Sequence, residues 1–325
     1  MKICIYGAGA IGGHLAARFA RGGADVSVVA RGAQLAAIRE RGIAIEDHED
    51  SFTASVRASD DPGAFGPQDA VVVAVKAPAL PAVAAGIAPL LGPQTPVLFA
   101  MNGIPWWYFY GEGGPRDGEL LDKLDPGGAL WNAIGPDRAL GGVVYCACAV
   151  TSPGTVRVIS RHNRIIMGEP AGGTARAELV AAALSAGGLA GEVTPRIREA
   201  IWAKLLLNLA TGPLCVLARA DQATAFSEPT IADAARRILE EGAAIARALG
   251  NAVDLDVDRV IASASRLLHK PSIVQDLELG RPMEIAALYD ATLDLARGAG
   301  VPTPMLDLLV ALTRVRARAD GLYAG

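Results

Sequence analysis

The sequence predicts an α/β domain joined to an all-α one: an N-terminal Rossmann-type dinucleotide-binding domain followed by a helical C-terminal domain. Three observations predict it. The apolar run "KICIY" at 2–6 leads into Gly7, Gly9 and Gly12 and then into a helical pattern. Strand-like and helical stretches then alternate as far as residue 102, the rhythm of a parallel sheet covered on both faces. From residue 196 the alternation stops and only helical patterns follow. We divide the 325 residues at 1–193 and 194–325, each part long enough to bury its own core.

In chain order, the first helix carries Ile11, Leu15 and Phe19 on one face and runs to Gly22–Gly23. "ADVSVVAR" at 24–31 is a second buried strand and 33–40 a second helix. Shorter segments near 43–46 and 52–57 precede the strand-like "DAVVVAVK" at 69–76, a helix at 79–91 and the strand "PVLFAMN" at 96–102. The stretch 103–138, rich in Gly and Pro, holds Trp106, Trp107 and Trp131; it reads as a lid or pocket wall, or as ordinary packing. Strands near 140–150, 154–160 and 164–168 form an expected meander, followed by a helix at 174–187. Helices are then expected at 196–210, 228–249, 256–268, 283–299 and 304–318, with Pro229 opening the second and Gly250 closing it.

Gly7-Ala8-Gly9-Ala10-Ile11-Gly12 has the dinucleotide pattern in its required setting, a strand before and a helix after. The glycines serve a tight turn, close approach of backbone to pyrophosphate, and helix–strand packing, while the amides of the first helical turn, at Ala10 and Ile11, meet phosphate. An NAD site places an acid at the end of the second strand. Here Arg31 stands there, and a guanidinium suits a 2′-phosphate, so NADP (NADPH) is the expected cofactor; otherwise Arg31 is a solvated strand end. Lys76 and Asn102-Gly103 end the next two strands, where doubly wound sheets bind ligands.

Composition excludes several classes. Thirty basic against thirty-four acidic residues leave a formal charge of −4 and no electrostatic case for nucleic acid. Four cysteines make no disulfide framework, and Cys146 and Cys148 read as one strand face rather than a metal pair. His14, His48, His162 and His269 are scattered, so no metal is expected. Apolar tracts at 69–100 and 139–150 are interrupted, no leader peptide is read ahead of the first strand, and a cytoplasmic setting without membrane contact is expected.

"REAIWAKLLLNLATGP" at 198–213 places Lys204 and Asn208 one turn apart, with Thr211 near the same line and apolar neighbours on both sides. So narrow a polar stripe is either a helix edge with its lysine reaching water or a site that supplies an anion. Candidate carboxylates follow in "KPSIVQDLELGRPMEI" at 270–285, where Ser272 starts a helix; spacing alone does not separate Glu284 from Asp276 or Glu278.

Taken in order, "YGAGAIGG", "VVAR", "VAVKA", "MNG", "SPG", "IWAKLLLNLA", "PSIVQDLELGRPMEI" and "GVPTP" resemble the ketopantoate reductase (2-dehydropantoate 2-reductase) family over nearly the whole chain. The resemblance implies a Rossmann domain and a helical domain with the active site in the cleft. It also implies NADPH-dependent reduction of the 2-oxo group of ketopantoate, a small 2-oxo acid, on the route to pantothenate and coenzyme A. It makes Lys204 the catalytic lysine, with Asn208, Ser272, Glu284 and Asn102 around the substrate and Arg31 and Lys76 toward the NADP. A homodimer through the helical domain is a further expectation of the resemblance. Three departures stand out: Gly212 where the family often has asparagine, Asp290 where it usually has glycine, and a longer, more aromatic segment after Asn102. They leave open a different small 2-oxo acid as substrate, or a non-enzymatic dinucleotide-binding sensor.

Overall fold

A computed structural model describes residues 1–48 and 50–324. The chain divides into two compact units, Met1–Met101 with Pro105–Ile197, and Asn102–Ile104 with Arg198–Gly325.

Among the described residues the first unit holds twelve strands: β1 Lys2–Tyr6, β2 Asp25–Val29, β3 Ile43–Glu46, β4 Phe52–Ala54, β5 Arg57–Ser59, β6 Ala70–Val73, β7 Val97–Ala100, β8 Ala139–Tyr145, β9 Cys148–Ser152, β10 Thr155–Val158, β11 Arg164–Gly168 and β12 Ala190–Val193. Eight form one sheet in the order β12-β11-β8-β7-β6-β1-β2-β5. From β5 to β8 all neighbours are parallel, giving the doubly wound order 3-2-1-4-5-6 with β5 as third strand. β11 then runs antiparallel to β8, and β12 parallel to β11. The central strands are apolar through their buried length because helices cover both faces: Ile3, Cys4, Ile5, Val71 and Val72 are wholly buried. Helices α1 Ala10–Arg21, α2 Gly32–Arg41, α3 Leu80–Gly86, α4 Ala129–Ala133 and α5 Ala175–Ala186 belong to this unit.

Several details differ from the sequence expectation. The three strands at 140–168 form no single meander; β9 and β10 leave the main sheet and join β3 and β4 in a second one, ordered β4-β3-β10-β9, against which α1 packs. The expected helix 79–91 is broken into 3-10, α and 3-10 turns because Pro78, Pro81 and Pro89 each lack an N–H. The tandem tryptophans are interior: Trp106 lies edge-on to Phe99 and Trp131, with ring centroids 5.6 and 6.1 Å apart, and Trp107 packs against Gly141. At 2% and 0% exposure they are core residues, which fits the packing reading rather than a closing lid. The four cysteines are free, and burial pushes the Cys148 thiol up to about 12, far from a reactive thiolate.

The second unit is helical. Its elements are α6 Ile197–Ala218, α7 Gln222–Phe226, α8 Pro229–Ala248, α9 Val257–Ala264, α10 Ser272–Glu278, a π turn Ala286–Asp290, α11 Ala291–Gly298 and α12 Pro304–Ala319. α6 continues past the expected residue 210 through Pro213, and is long and apolar enough to cross a membrane by length and composition. Yet 67% of its apolar window is buried inside the fold, where Trp202, Leu205, Leu206 and Leu209 pack, so it is a core helix. α12 is docked by α8: Glu241 accepts from the Met305 and Leu306 N–H groups at 2.9 and 2.8 Å, an acid at a helix N-terminus.

Candidate active site

In the first unit the glycine loop has the geometry that its pattern predicts. Gly7 has φ +105°, and its N–H donates to the Val29 carbonyl at 3.0 Å, tying the start of the turn between β1 and α1 to the end of β2. A Cβ on Gly12 would lie 1.8 Å from the Gly7 oxygen, so only glycine lets α1 approach the loop so closely. A Cβ on Gly9, by contrast, would meet nothing within 4 Å; Gly9 borders the open side, where a pyrophosphate approaches backbone. No side chain caps α1, which leaves its first amides to an anion. These features fit a dinucleotide.

Arg31 ends the second strand at the N-cap of α2, exposed, and its guanidinium forms no ion pair among the described residues. Lys76, half-buried, caps the short 3-10 turn after β6. Gln34, which no motif marks, joins the glycine loop. Its Nε2 donates to the Ala8 carbonyl at 2.8 Å and its Oε1 accepts from Gly154 N–H at 3.0 Å, tying the glycine loop to the turn of "SPG". A polar residue in the first turn of α2 was the only hint.

In the second unit, α6 presents Lys204 and Asn208 half-buried, with Ile201, Leu205 and Leu209 buried beside them and Thr211 hydrogen-bonded to the Leu207 carbonyl at 2.8 Å. This is a sheltered stripe rather than a wide solvent face. One turn further along it, Gly212 meets Ile273 of α10 and Tyr289 of the π turn. The stripe therefore faces the segments that carry Ser272 and Glu284. Ser272 lies exposed at the first turn of α10, and the positive charge of Lys204 reaches His269 just before it. Burial, and then Lys204, lower the His269 pKa.

Among the three carboxylates that spacing could not separate, Glu278 is engaged by Lys270 at 2.6 Å, while Asp276 and Glu284 are buried at 4% and 8% exposure. Glu284 comes just before the π turn Ala286–Asp290, whose Tyr289 meets Gly212. Gly103, with φ +86°, lets the Asn102–Ile104 backbone press onto the π turn, where Ile104 N–H donates to the Ala287 carbonyl at 3.0 Å. A Cβ on Gly103 would be 2.5 Å from that oxygen. The Asn102–Ile104 segment is thus fastened at Ala287, three residues after Glu284 in the chain. The π turn itself, closed by the Ala291 N–H on the Ala286 carbonyl, interrupts the expected helix 283–299; such turns gather at functional sites. No group of three or more His, Cys, Asp or Glu residues fit for a metal occurs among the described residues.

Residues 3–172 match the family Ketopantoate reductase PanE/ApbA and residues 196–317 match Ketopantoate reductase PanE/ApbA C terminal. The chain belongs to the ketopantoate reductase family. It is 45% identical over 328 residues to the 2-dehydropantoate 2-reductase of Mesorhizobium japonicum, covering 100% of both chains. Among solved structures it is similar to a Ralstonia solanacearum MolK2 protein assigned as a ketopantoate reductase, at TM-score 0.92, 41% identity and 99% of each chain. A 2-dehydropantoate 2-reductase from Geobacter metallireducens GS-15 superposes at TM-score 0.84 with 29% identity, over 96% of this chain and 98% of that one. The ketopantoate reductase family is one of NADP-dependent oxidoreductases acting on a small 2-oxo acid, and the chain is such an enzyme.

Proposed function

We propose that the enzyme reduces the 2-oxo group of 2-dehydropantoate to pantoate with NADPH, in the route that leads to coenzyme A. The observation that carries this reading is the convergence in the helical unit. The Lys204–Asn208–Gly212 stripe, the start of α10 and the Glu284-bearing segment meet around Gly212 and Tyr289, with Asn102 fastened to the same segment.

When bound, NADPH supplies the hydride. Lys204 offers a positive donor to the 2-oxo oxygen, an interaction that strengthens as that oxygen gains negative charge, and gives it a proton. Asn208, Ser272 and Asn102 supply neutral donors to the substrate carboxylate, and Glu284 accepts from the emerging hydroxyl or from Lys204 and fixes its direction. In the first unit, the amides of Gly9 to Gly12 would hold the pyrophosphate and Arg31 the 2′-phosphate, with Lys76 toward the same cofactor.

Gly212 favours a second reading, a different small 2-oxo acid. Where the resemblance sets a second asparagine, this chain has no side chain, and the Tyr289 hydroxyl fills the place. The test is a panel of branched and linear 2-oxo acids, followed by NADPH absorbance. A kcat/KM highest for 2-dehydropantoate supports the proposal. A preference of tenfold or more for another acid replaces it with the second reading, and tight NADPH binding without turnover on any acid leaves a sensor.

A further inference from the structure

The carboxylate of Asp290 is gripped by the C-terminal end of the chain. Asp290 is 2% exposed, and Arg314 of α12 donates to its Oδ1 from Nε at 2.7 Å and also from Nη2. The Tyr323 hydroxyl donates to Oδ2. A buried carboxylate without partners is strongly destabilising; here both oxygens are met, one by a guanidinium fork and the other by a neutral donor.

The same tail holds the other end of the segment through backbone. Met283 N–H donates to the Leu322 carbonyl at 3.0 Å, and Leu322 N–H donates to Ala317 of α12 at 2.8 Å. Residues 283 and 290, on either side of Glu284, are therefore both tied to the Leu322-Tyr323 pair. Burial, and then the bond to Asp290, push the Tyr323 phenol up to about 12, so it remains a donor at neutral pH. Between the two ties lies the π turn, a rare single-turn departure from the α-helix.

We propose that Asp290 and Tyr323 form a latch that positions Glu284 for the reaction, with Arg314 as its ionic anchor. This rests on the role proposed for Glu284. Asp290 and Tyr323 are positioning residues, and the latch accounts for an acid where the resemblance sets glycine. A glycine there could hold neither Arg314 nor Tyr323.

The experiment compares the parent enzyme with Tyr323→Phe, Glu284→Gln and the double variant, measuring kcat, KM for both substrates, and hydrogen exchange of the 285–290 amides. Tyr323→Phe is expected to lower kcat about three- to tenfold, the worth of one hydrogen bond, with KM for NADPH unchanged. In the Glu284→Gln background the same change should have no further effect, because the residue being positioned is gone. It should also speed exchange across 285–290 and leave the glycine loop unchanged. Equal proportional losses in both backgrounds, or an unchanged kcat in Tyr323→Phe, would overturn the latch while leaving Glu284 catalytic. A Glu284→Gln enzyme as fast as the parent would instead sink the role of Glu284, and the latch with it. Unchanged exchange at 285–290 overturns the latch even if the substrate assignment fails.

Discussion

A Cβ on Gly212 would stand 2.1 Å from the hydroxyl oxygen of Tyr289 and 3.4 Å from its Cζ. Tyr289 is wholly buried, its hydroxyl has no hydrogen-bond partner among the described residues, and burial pushes its pKa up. Gly212→Ala, which in an open helix would add about 1 kcal/mol, should here destabilise by about 1–3 kcal/mol through overpacking. Tyr289→Phe removes the unsatisfied hydroxyl and leaves an ordinary contact, so the alanine should become neutral or stabilising in that background. Urea unfolding of the four proteins checks the reversal; additive effects would show that the two residues do not compete for the same space.

Replacing Lys204 by Ala should cut kcat by about 10²–10³, the scale for losing one donor to a developing oxyanion. NADPH affinity should change little, since the glycine loop and Arg31 lie in the other unit. Fluorescence titration beside steady-state rates on one preparation decides it, and loss of NADPH binding with turnover intact would contradict the assignment.

Arg31→Ala should weaken NADPH by roughly ten- to a hundredfold, the value of a charge-assisted contact, and leave NADH nearly unchanged. Calorimetric titration with both nucleotides measures this. Equal losses for the two would remove Arg31 from the 2′-phosphate.

His14 supplies a pH prediction. It is 1% exposed on α1, neither ring nitrogen has a hydrogen-bond partner among the described residues, and burial lowers its pKa to about 4, helped by Arg18. The unfolded imidazole titrates near 6.5, so between the two values the unfolded chain binds more protons and stability must fall as pH falls. The neutral ring contributes its full stability above about pH 6.5, and about 3 kcal/mol is lost on reaching about pH 4. Below that the term is flat. Denaturant curves at pH 7.5 and 5 should differ measurably more for the parent than for His14→Leu; identical slopes would mean that the histidine is solvated.

Residues whose role is steric were the most legible in the sequence. Gly7 and Gly12 stand where any side chain would strike backbone or a neighbouring strand, so spacing alone located the turn between β1 and α1. The β-α alternation likewise followed from strands buried on both faces. What depended on distant pairing was hidden: β3 and β10 align through Ala44 and Thr155, separated by most of the first unit, and no local pattern announces that match. The same holds for the helical unit. Lys204 and Asn208 were conspicuous as polar residues on an apolar helix, but Glu284 could not be told from Asp276 or Glu278. In the fold it precedes Ala287 by three residues, and the Ala287 carbonyl is where Asn102-Gly103-Ile104 is fastened. Tyr289, Gln34 and Tyr323 act through contacts with residues far away in sequence, and no motif marks them.

The π turn at Ala286–Asp290 also makes the residue count itself matter. Deleting one residue there would let an unbroken α-helix form, at the cost of rotating whatever precedes the cut by about 100° against whatever follows it. Glu284 could then keep its heading only if Tyr289 and Asp290 lost theirs. Substitutions at residues 285–288 should be easier to absorb than any insertion or deletion, and the spacing from 284 to 290 should be the least elastic interval in the helical half of the gene.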